Sequence, residues 1–374
     1  MNVGIVGGGQ LGRMLALAGY PLGARFRFLD PAEDACAAPL GSHLAADYDD
    51  EGALAGLAEW ADVVTIEFEN VSVEALERIT GTVPVHPAPG SLAVARDRLE
   101  EKTLFDRLGI PTPAWAAVDD RAGLERAART IGLPAVLKRR TLGYDGKGQE
   151  VVGDEGDLGA AWDRLGNLPL LLESFVAFDR EVSVLAARAR DGSTAFYPVS
   201  ENTHEEGILR VSVSRPGDPA AEPARELSGR ILDALDYVGV LALELFEKDG
   251  ELLANEIAPR VHNSGHWSIE GARASQFENH LRAVLGLPLG DPSPVGLAAM
   301  VNFIGEIPPV EQVLAIPPAH LHVYDKAPRP GRKIGHATVR ADDERELRTA
   351  LDPLLELVGL PARSTRSRPP ASGR

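Results

Sequence analysis

Short apolar runs that end on a polar or charged residue recur along the chain. Asn2–Val6, Phe26–Leu29 and Asp62–Ile66 open it; Ala135–Lys138, Leu170–Val176, Val182–Ala189, Val238–Phe246 and Glu251–Ile257 follow. Runs this short, bounded by glycine, proline and acids, predict buried strands rather than helices. Helical periodicity appears after Gly12, where Met14, Leu15 and Leu17 recur, over Ser91–Leu108 with Ser91 as N-cap, and over Ser275–Leu285. Two more strands are expected at Ala298–Ile304 and Ile334–Val339. The alternation predicts an α/β protein, and 374 residues predict two or three cores.

Composition leaves that picture intact and narrows the function. Hydrophobic residues make up 44 % and charged residues 25 %, enough for ordinary globular cores. No segment reads as a signal peptide or bilayer span, so a soluble protein is expected. Cys36 is the only cysteine, which excludes an internal disulfide and a thiolate zinc site and fits a reducing cytoplasm. A formal charge of −17 argues against a nucleic-acid or membrane-surface partner. Any phosphate-bearing ligand must therefore be met locally, at Lys138-Arg139-Arg140 with Lys147, at Arg260, or at Lys326–Lys333.

Several clusters carry chemistry. Gly7, Gly9 and Gly12 form G-x-G-x-x-G between a strand and a helix, which aims helix N-terminal amides at an anion. With Asp30 at the end of the next strand, this alone suggests NAD. Glu67 and Glu69 follow the third strand, where α/β sheets bind ligands, although a solvated loop is equally expected. Arg98 and Lys102 lie four apart on a helix, by default a solvated face. The loop Arg139–Gln149, with Gly143, Gly146 and Gly148, is too long for a hairpin turn and suits a flap over polyphosphate; it lacks Walker spacing. Glu173-Ser174-Phe175-Val176 could form a hinge that reads an adenine edge, with Glu181 toward ribose hydroxyls. Asn202–His204 and Gly207–Leu209 are expected in a loop, with His204 structural.

Glu244 and Glu256 fall on successive strands joined at Lys248-Asp249-Gly250, close to opposite each other. Two carboxylates in an apolar hairpin call for a cation, and oxygen ligands suit magnesium. Glu256 opens the densest polar stretch of the chain, Asn255-Glu-Ile-Ala-Pro-Arg-Val-His-Asn-Ser-Gly-His-Trp267, with strand giving way to loop at Pro259. A zinc hydrolase using His262 and His266 is disfavoured because Gly265 interrupts the helix that spacing needs. Lys326, Arg329, Arg332 and Lys333 make a candidate phosphate clamp.

In this order the parts resemble the ATP-grasp ligases and, more closely, the N5-carboxyaminoimidazole ribonucleotide synthetases. The resemblance rests on residues 7–14 (Gly-Gly-Gly-Gln-Leu-Gly-Arg-Met), 143–149 (Gly-Tyr-Asp-Gly-Lys-Gly-Gln), 255–267, 275–280 (Ser-Gln-Phe-Glu-Asn-His) and 329–336 (Arg-Pro-Gly-Arg-Lys-Ile-Gly-His). Leu142 departs from it, standing where that family usually has a second glycine.

The resemblance implies a three-domain ATP-grasp ligase: a Rossmann-like pre-ATP-grasp domain over 1–100, a two-lobed ATP-grasp domain over 101–295 and a small C-terminal domain over 296–374; the tail from Arg363, rich in Ser, Arg and Pro, is expected to be disordered on composition alone. It implies that Arg98, Lys138, Gly143, Tyr144, Asp145, Gly146, Lys147, Gly148, Gln149, Glu173, Ser174, Phe175, Val176, Glu181 and His204 hold ATP. Glu244 and Glu256 would hold Mg2+, with Asn255 assisting. Gln10, Leu11, Lys326 and Arg332 would bind aminoimidazole ribonucleotide. Tyr144, Asp145, Arg260, His262 and Asn263 would surround bicarbonate and the amine, with Asp145 or His262 taking the proton. Members of that family are commonly dimers. Three alternatives stand beside it: another carboxylate–amine ligase acting on a phosphoribosyl substrate, an NAD-dependent oxidoreductase, and a non-catalytic nucleotide-binding module. The last two leave the flap and the acid pair unexplained.

Overall fold

The computed structural model describes residues 1–141, 143, 148–166 and 168–361. Leu142, Tyr144, Asp145, Gly146, Lys147 and the tail from 363 lie outside the described residues. The architecture is mixed α/β, built on three sheets. Strands Ser42–Leu44, Arg25–Leu29, Asn2–Val6 and Val63–Ile66 form a parallel sheet in that order. Gln10–Gly19 crosses over from the first strand to the second, so the chain begins with the expected strand, glycine turn and helix.

The second sheet is antiparallel, in the order Trp115–Val118, Leu170–Ser174, Ala135–Arg139 and Gln149–Val152. Helices Arg121–Ile131 and Leu158–Arg164 accompany it, and together they bury a core around Leu124, Leu137, Trp162 and Leu172. Among the described residues the third sheet has nine strands, all antiparallel, with Thr194–Phe196 paired to Arg180–Arg188 beside the main path. It runs from the hairpin Gly239–Lys248/Glu251–Ala258 through Arg180–Arg188, Val199–Glu205 and Ile208–Arg215 to Leu297–Ile304, Lys333–Ala341 and Ala319–Val323. Register across Val211↔Val301 carries this sheet without a break past residue 296. Among the described residues no helix is long and apolar enough to cross a membrane.

Three local expectations change. Ser91–Leu108 is two helices, Pro89–Arg96 and Arg98–Leu108. Asp97 leaves the helical conformation, at φ −116° and ψ 112°, and its side chain caps the second helix by accepting from Leu99 N–H. Ser91 lies inside the first helix instead of capping it. The loop expected at 202–209 is a hairpin, with Glu205 paired to Ile208 and a turn at Glu206 and Gly207, both at positive φ. The strand from Leu170 ends at Ser174, leaving Phe175 and Val176 beyond it.

Helix Gln276–Leu285 fastens the first sheet to the third through His280, which is fully buried. Its Nδ1 accepts from Val240 N–H at 3.1 Å, so Nε2 carries the proton toward Thr65 Oγ1 at 2.8 Å. Burial pushes the imidazole down from 6.5 to about 3. The unfolded chain therefore binds a proton that the folded chain refuses, and stability is lost as pH falls from 6.5 toward 3. The loss is about 1.4 kcal/mol per pH unit. The urea midpoint should be lower at pH 5 than at pH 7, and the His280→Gln variant should show a smaller drop than wild type.

Candidate active site

Segments from all three sheets line one cavity of about 950 Å³, near the upper end for small-molecule sites. Of the site residues expected from sequence, it brings together Gln10, Leu11, Arg98, Lys138, Gly143, Gln149, Glu173, Ser174, Phe175, Val176, Glu181, His204, Glu244, Asn255, Glu256, Arg260, His262, Asn263, Lys326 and Arg332. Gly148 is described but is not part of this lining; its carbonyl accepts from Arg139 N–H at 2.8 Å. Tyr144, Asp145, Gly146 and Lys147 lie outside the described residues.

A bulge sets the acid pair. Lys248 pairs with Glu251 and Leu245 with Ala254, but Glu244 pairs with Glu256, so Asn255 is the extra residue. Without the bulge Glu244 would face Asn255, and one added residue re-aims a side chain in this way. Glu256 Oε2 accepts from Arg98 Nη1 at 2.8 Å, and Glu244 Oε1 lies 3.0 Å from His262 Nε2. Burial pushes the Glu244 carboxyl up, but His262, His204 and Lys333 outweigh it and hold it well below the usual range. Two carboxyl side chains on register partners fit a hard divalent ion that completes its shell from phosphates and water. Among the described residues no group of three metal-ligating side chains converges. His266 does not join His262 at the cavity; it is buried, with Nδ1 at 3.2 Å from Gln276 Nε2.

Arg98 and Lys102 do not form a solvated face. The break at Asp97 turns the second helix so that Lys102 is fully buried and Arg98 faces the cavity. Lys138 bonds Glu173 Oε2 and reaches Asn255 Oδ1 at 3.3 Å. Burial would raise the Glu173 carboxyl, but Lys138 and Lys102 hold it down at about 2. Next to this cluster the hairpin that replaced the expected loop brings His204 Nδ1 to 2.8 Å from Glu181 Oε2. Phe178 and Phe246, both in the lining, stack with ring centroids 5.0 Å apart, which makes an apolar wall there.

Beyond Pro259 the polar loop is held from behind. Gln276, fully buried, accepts from His262 N–H at 2.8 Å and donates to His262 O at 2.7 Å. Asn263 and buried Asn302 exchange carboxamide hydrogen bonds at 2.7 and 3.1 Å. Ser264, His266 and Trp267 are buried, and Trp267 Nε1 donates to Ser200 Oγ at 2.8 Å. Packing is the role left to His266 and Trp267, whereas Ser264 Oγ lies 2.8 Å from His262 Nδ1 and helps fix that ring.

Glu67 and Glu69, expected either at a ligand-binding strand end or on a solvated loop and given no ligand there, both line the cavity. Arg260 donates through Nε to Glu69 Oε2 and through Nη2 to Oε1 at 3.1 Å. Burial favours the neutral Glu69 carboxyl, and Arg260 overcomes this and lowers its pKa. Glu67 fills the opening glycine loop itself, accepting from Gly9 N–H at 2.7 Å and Gly12 N–H at 2.8 Å. A Cβ on Gly9 would overlap this carboxylate. The loop glycines thus cradle an internal carboxylate where the NAD reading needs pyrophosphate. Asp30 is likewise engaged, by Gly8 N–H at 2.7 Å and by Tyr48 OH at 2.9 Å. Gln10 Oε1 instead accepts from Lys326, joining the glycine loop to the basic turn.

Known proteins resemble the chain along most of its length. Residues 1–96 match the ribonucleotide synthetase preATP-grasp domain, 103–277 the ATP-grasp domain, and 298–350 the phosphoribosylaminoimidazole carboxylase C-terminal domain. An N5-carboxyaminoimidazole ribonucleotide synthase of Pseudomonas aeruginosa is 58% identical, covering 96% of this chain and 99% of its own. The crystal structure of N5-carboxyaminoimidazole ribonucleotide synthetase from Thermus thermophilus superposes with a TM-score of 0.91 at 55% identity, over 95% of this chain and 98% of that one. The enzyme of Aspergillus clavatus, solved in complex with ADP and 5-aminoimidazole ribonucleotide, gives 0.89 at 33% identity, over 96% and 98%. The chain belongs to the N5-carboxyaminoimidazole ribonucleotide synthase family of ATP-grasp ligases.

Proposed function

We propose that this chain uses ATP and bicarbonate to carboxylate the exocyclic amine of 5-aminoimidazole ribonucleotide, giving N5-carboxyaminoimidazole ribonucleotide in de novo purine biosynthesis. The observation that carries the reading is the convergence in one cavity of the acid pair, the strand end at Glu173–Val176, the polar loop from Arg260 and the basic turn against Gln10. The solved relative with ADP and 5-aminoimidazole ribonucleotide supports two ligands in such a cavity.

Phosphoryl transfer needs alignment and charge neutralisation more than a covalent group. The γ-phosphoryl passes to a bicarbonate oxygen, releasing ADP and forming carboxyphosphate. Carboxyphosphate breaks into carbon dioxide and phosphate, and the amine attacks the carbon and loses a proton. Arg98, Lys138, the flap including Gly143 and Gln149, Glu173–Val176, Glu181, His204 and Asn255 would hold the nucleotide. A magnesium ion on Glu244 and Glu256 would neutralise charge on the phosphate oxygens. Gln10, Leu11, Lys326 and Arg332 would hold the ribonucleotide, which brings its amine toward Arg260, His262 and Asn263. Arg260 would counter the developing negative charge, and Asp145 or His262 would take the proton.

ADP release should require magnesium and bicarbonate and rise when 5-aminoimidazole ribonucleotide is added, with an acid-labile carbamate as product. Release that ignores the ribonucleotide, without carbamate, would retire this substrate and leave another ATP-grasp ligase. The proposal extends to a cytoplasmic homodimer. Light scattering should then give twice the 39.9 kDa chain mass.

A further inference from the structure

We propose that Lys102 is a positioning residue that frees Lys138 to serve the triphosphate. The inference rests on the ATP reading above. Lys102 is fully buried and is not part of the cavity lining, so it cannot touch a ligand. Its Nζ donates to the carbonyls of Asn255 at 2.8 Å and Ala254 at 3.3 Å, and stands 2.8 Å from Glu173 Oε1. Lys138 holds the other oxygen, Glu173 Oε2, and does line the cavity. Glu173 is 2 % exposed and Lys138 6 %. Two ammonium groups thus share one carboxylate in a place water barely reaches.

The arrangement has a direct electrostatic consequence. Were Glu173 paired with Lys138 alone, drawing Lys138 toward a phosphate would strand a buried carboxylate, which is costly. With Lys102 fixed on Oε1, Glu173 keeps a counter-ion whichever way Lys138 turns. Oε1 has no other hydrogen-bond partner among the described residues, so this ion pair is its compensation. The carbonyls of Ala254 and Asn255 anchor Lys102 and keep it from following Lys138. The surplus positive charge is left to Lys138, on the cavity side.

The test is a double-mutant cycle read by calorimetric titration of the full chain with MgATP. Lys102→Met should weaken MgATP binding at least about tenfold when Glu173 is present. The same substitution made on the Glu173→Gln variant should cost less than about threefold, because no carboxylate remains to trap Lys138. A purely structural Lys102 loses its carbonyl bonds in both backgrounds, so equal costs would overturn the proposal. If Lys102→Met alone does not fold, the Glu173→Gln background decides, and a cost above tenfold there overturns it. Wild-type protein that binds no MgATP would instead remove the ATP reading, and this inference with it.

Discussion

ATP turnover by the Glu256→Gln variant is expected to fall by on the order of 10²–10³-fold while the protein stays folded. Asn255 bulges out of the hairpin and turns Glu256 to face Glu244, and among the described residues this is the one carboxylate couple that the hairpin register places opposite each other at the cavity. Glutamine keeps the shape and can still accept from Arg98, but it removes the charge a divalent ion needs. The stability cost is about 1 kcal/mol or less, since the Glu256 side chain is 37% exposed and its ion pair is partly screened. Steady-state ADP release beside a urea unfolding curve separates the two effects. Raised magnesium should restore part of the activity. Wild-type turnover in a folded variant would take Glu256 out of the metal site.

The parts of this site that were legible in the sequence are those whose chemistry is local. The hairpin with Glu244 and Glu256, the strand carrying Lys138 and the basic turn each declare themselves within a dozen residues, because period-two patterning and turn residues fix them. Illegible were features decided by a partner far away in the chain. Glu69 reads equally as a ligand-facing acid at a strand end and as a solvated loop acid until Arg260, 191 residues on, is brought against it. Glu67 gains its role only when the parallel register sets Ile66 beside Val6 and delivers its carboxylate to the glycine amides. Lys102 is a polar residue on a charged helix, and nothing within that helix announces that Asp97 restarts it facing inward. The bulge at Asn255 is likewise invisible to counting from the turn, which places the acids only near each other. Helix Glu344–Leu357, capped by Asp343, packs against strands Leu297–Ile304 and Lys333–Ala341 and lines no part of the cavity.

Removing Glu69 should cost more in coupled chemistry than in stability. Arg260 is held by two parallel hydrogen bonds to Glu69, and its side chain is only 16% exposed at the cavity edge. Glu69→Ala leaves that guanidinium without its partner, which destabilises the fold by about 1–3 kcal/mol. The larger effect is on aim. A charge-stabilising group displaced by about 1 Å costs on the order of 10²-fold in rate. ADP release in the presence of bicarbonate and 5-aminoimidazole ribonucleotide is therefore expected to fall by that factor. Nucleotide affinity should change little, because Lys138, Glu173 and the Glu181–His204 pair are held by other contacts. Lowering the charge at 69 while keeping a hydrogen-bond acceptor, as Glu69→Gln does, should give an intermediate loss, since one bond can still orient Arg260. A folded Glu69→Ala variant with full ribonucleotide-stimulated turnover would mean that the pair only fastens the loop after Pro259 to the first sheet, and that Arg260 needs no aiming to meet the anion.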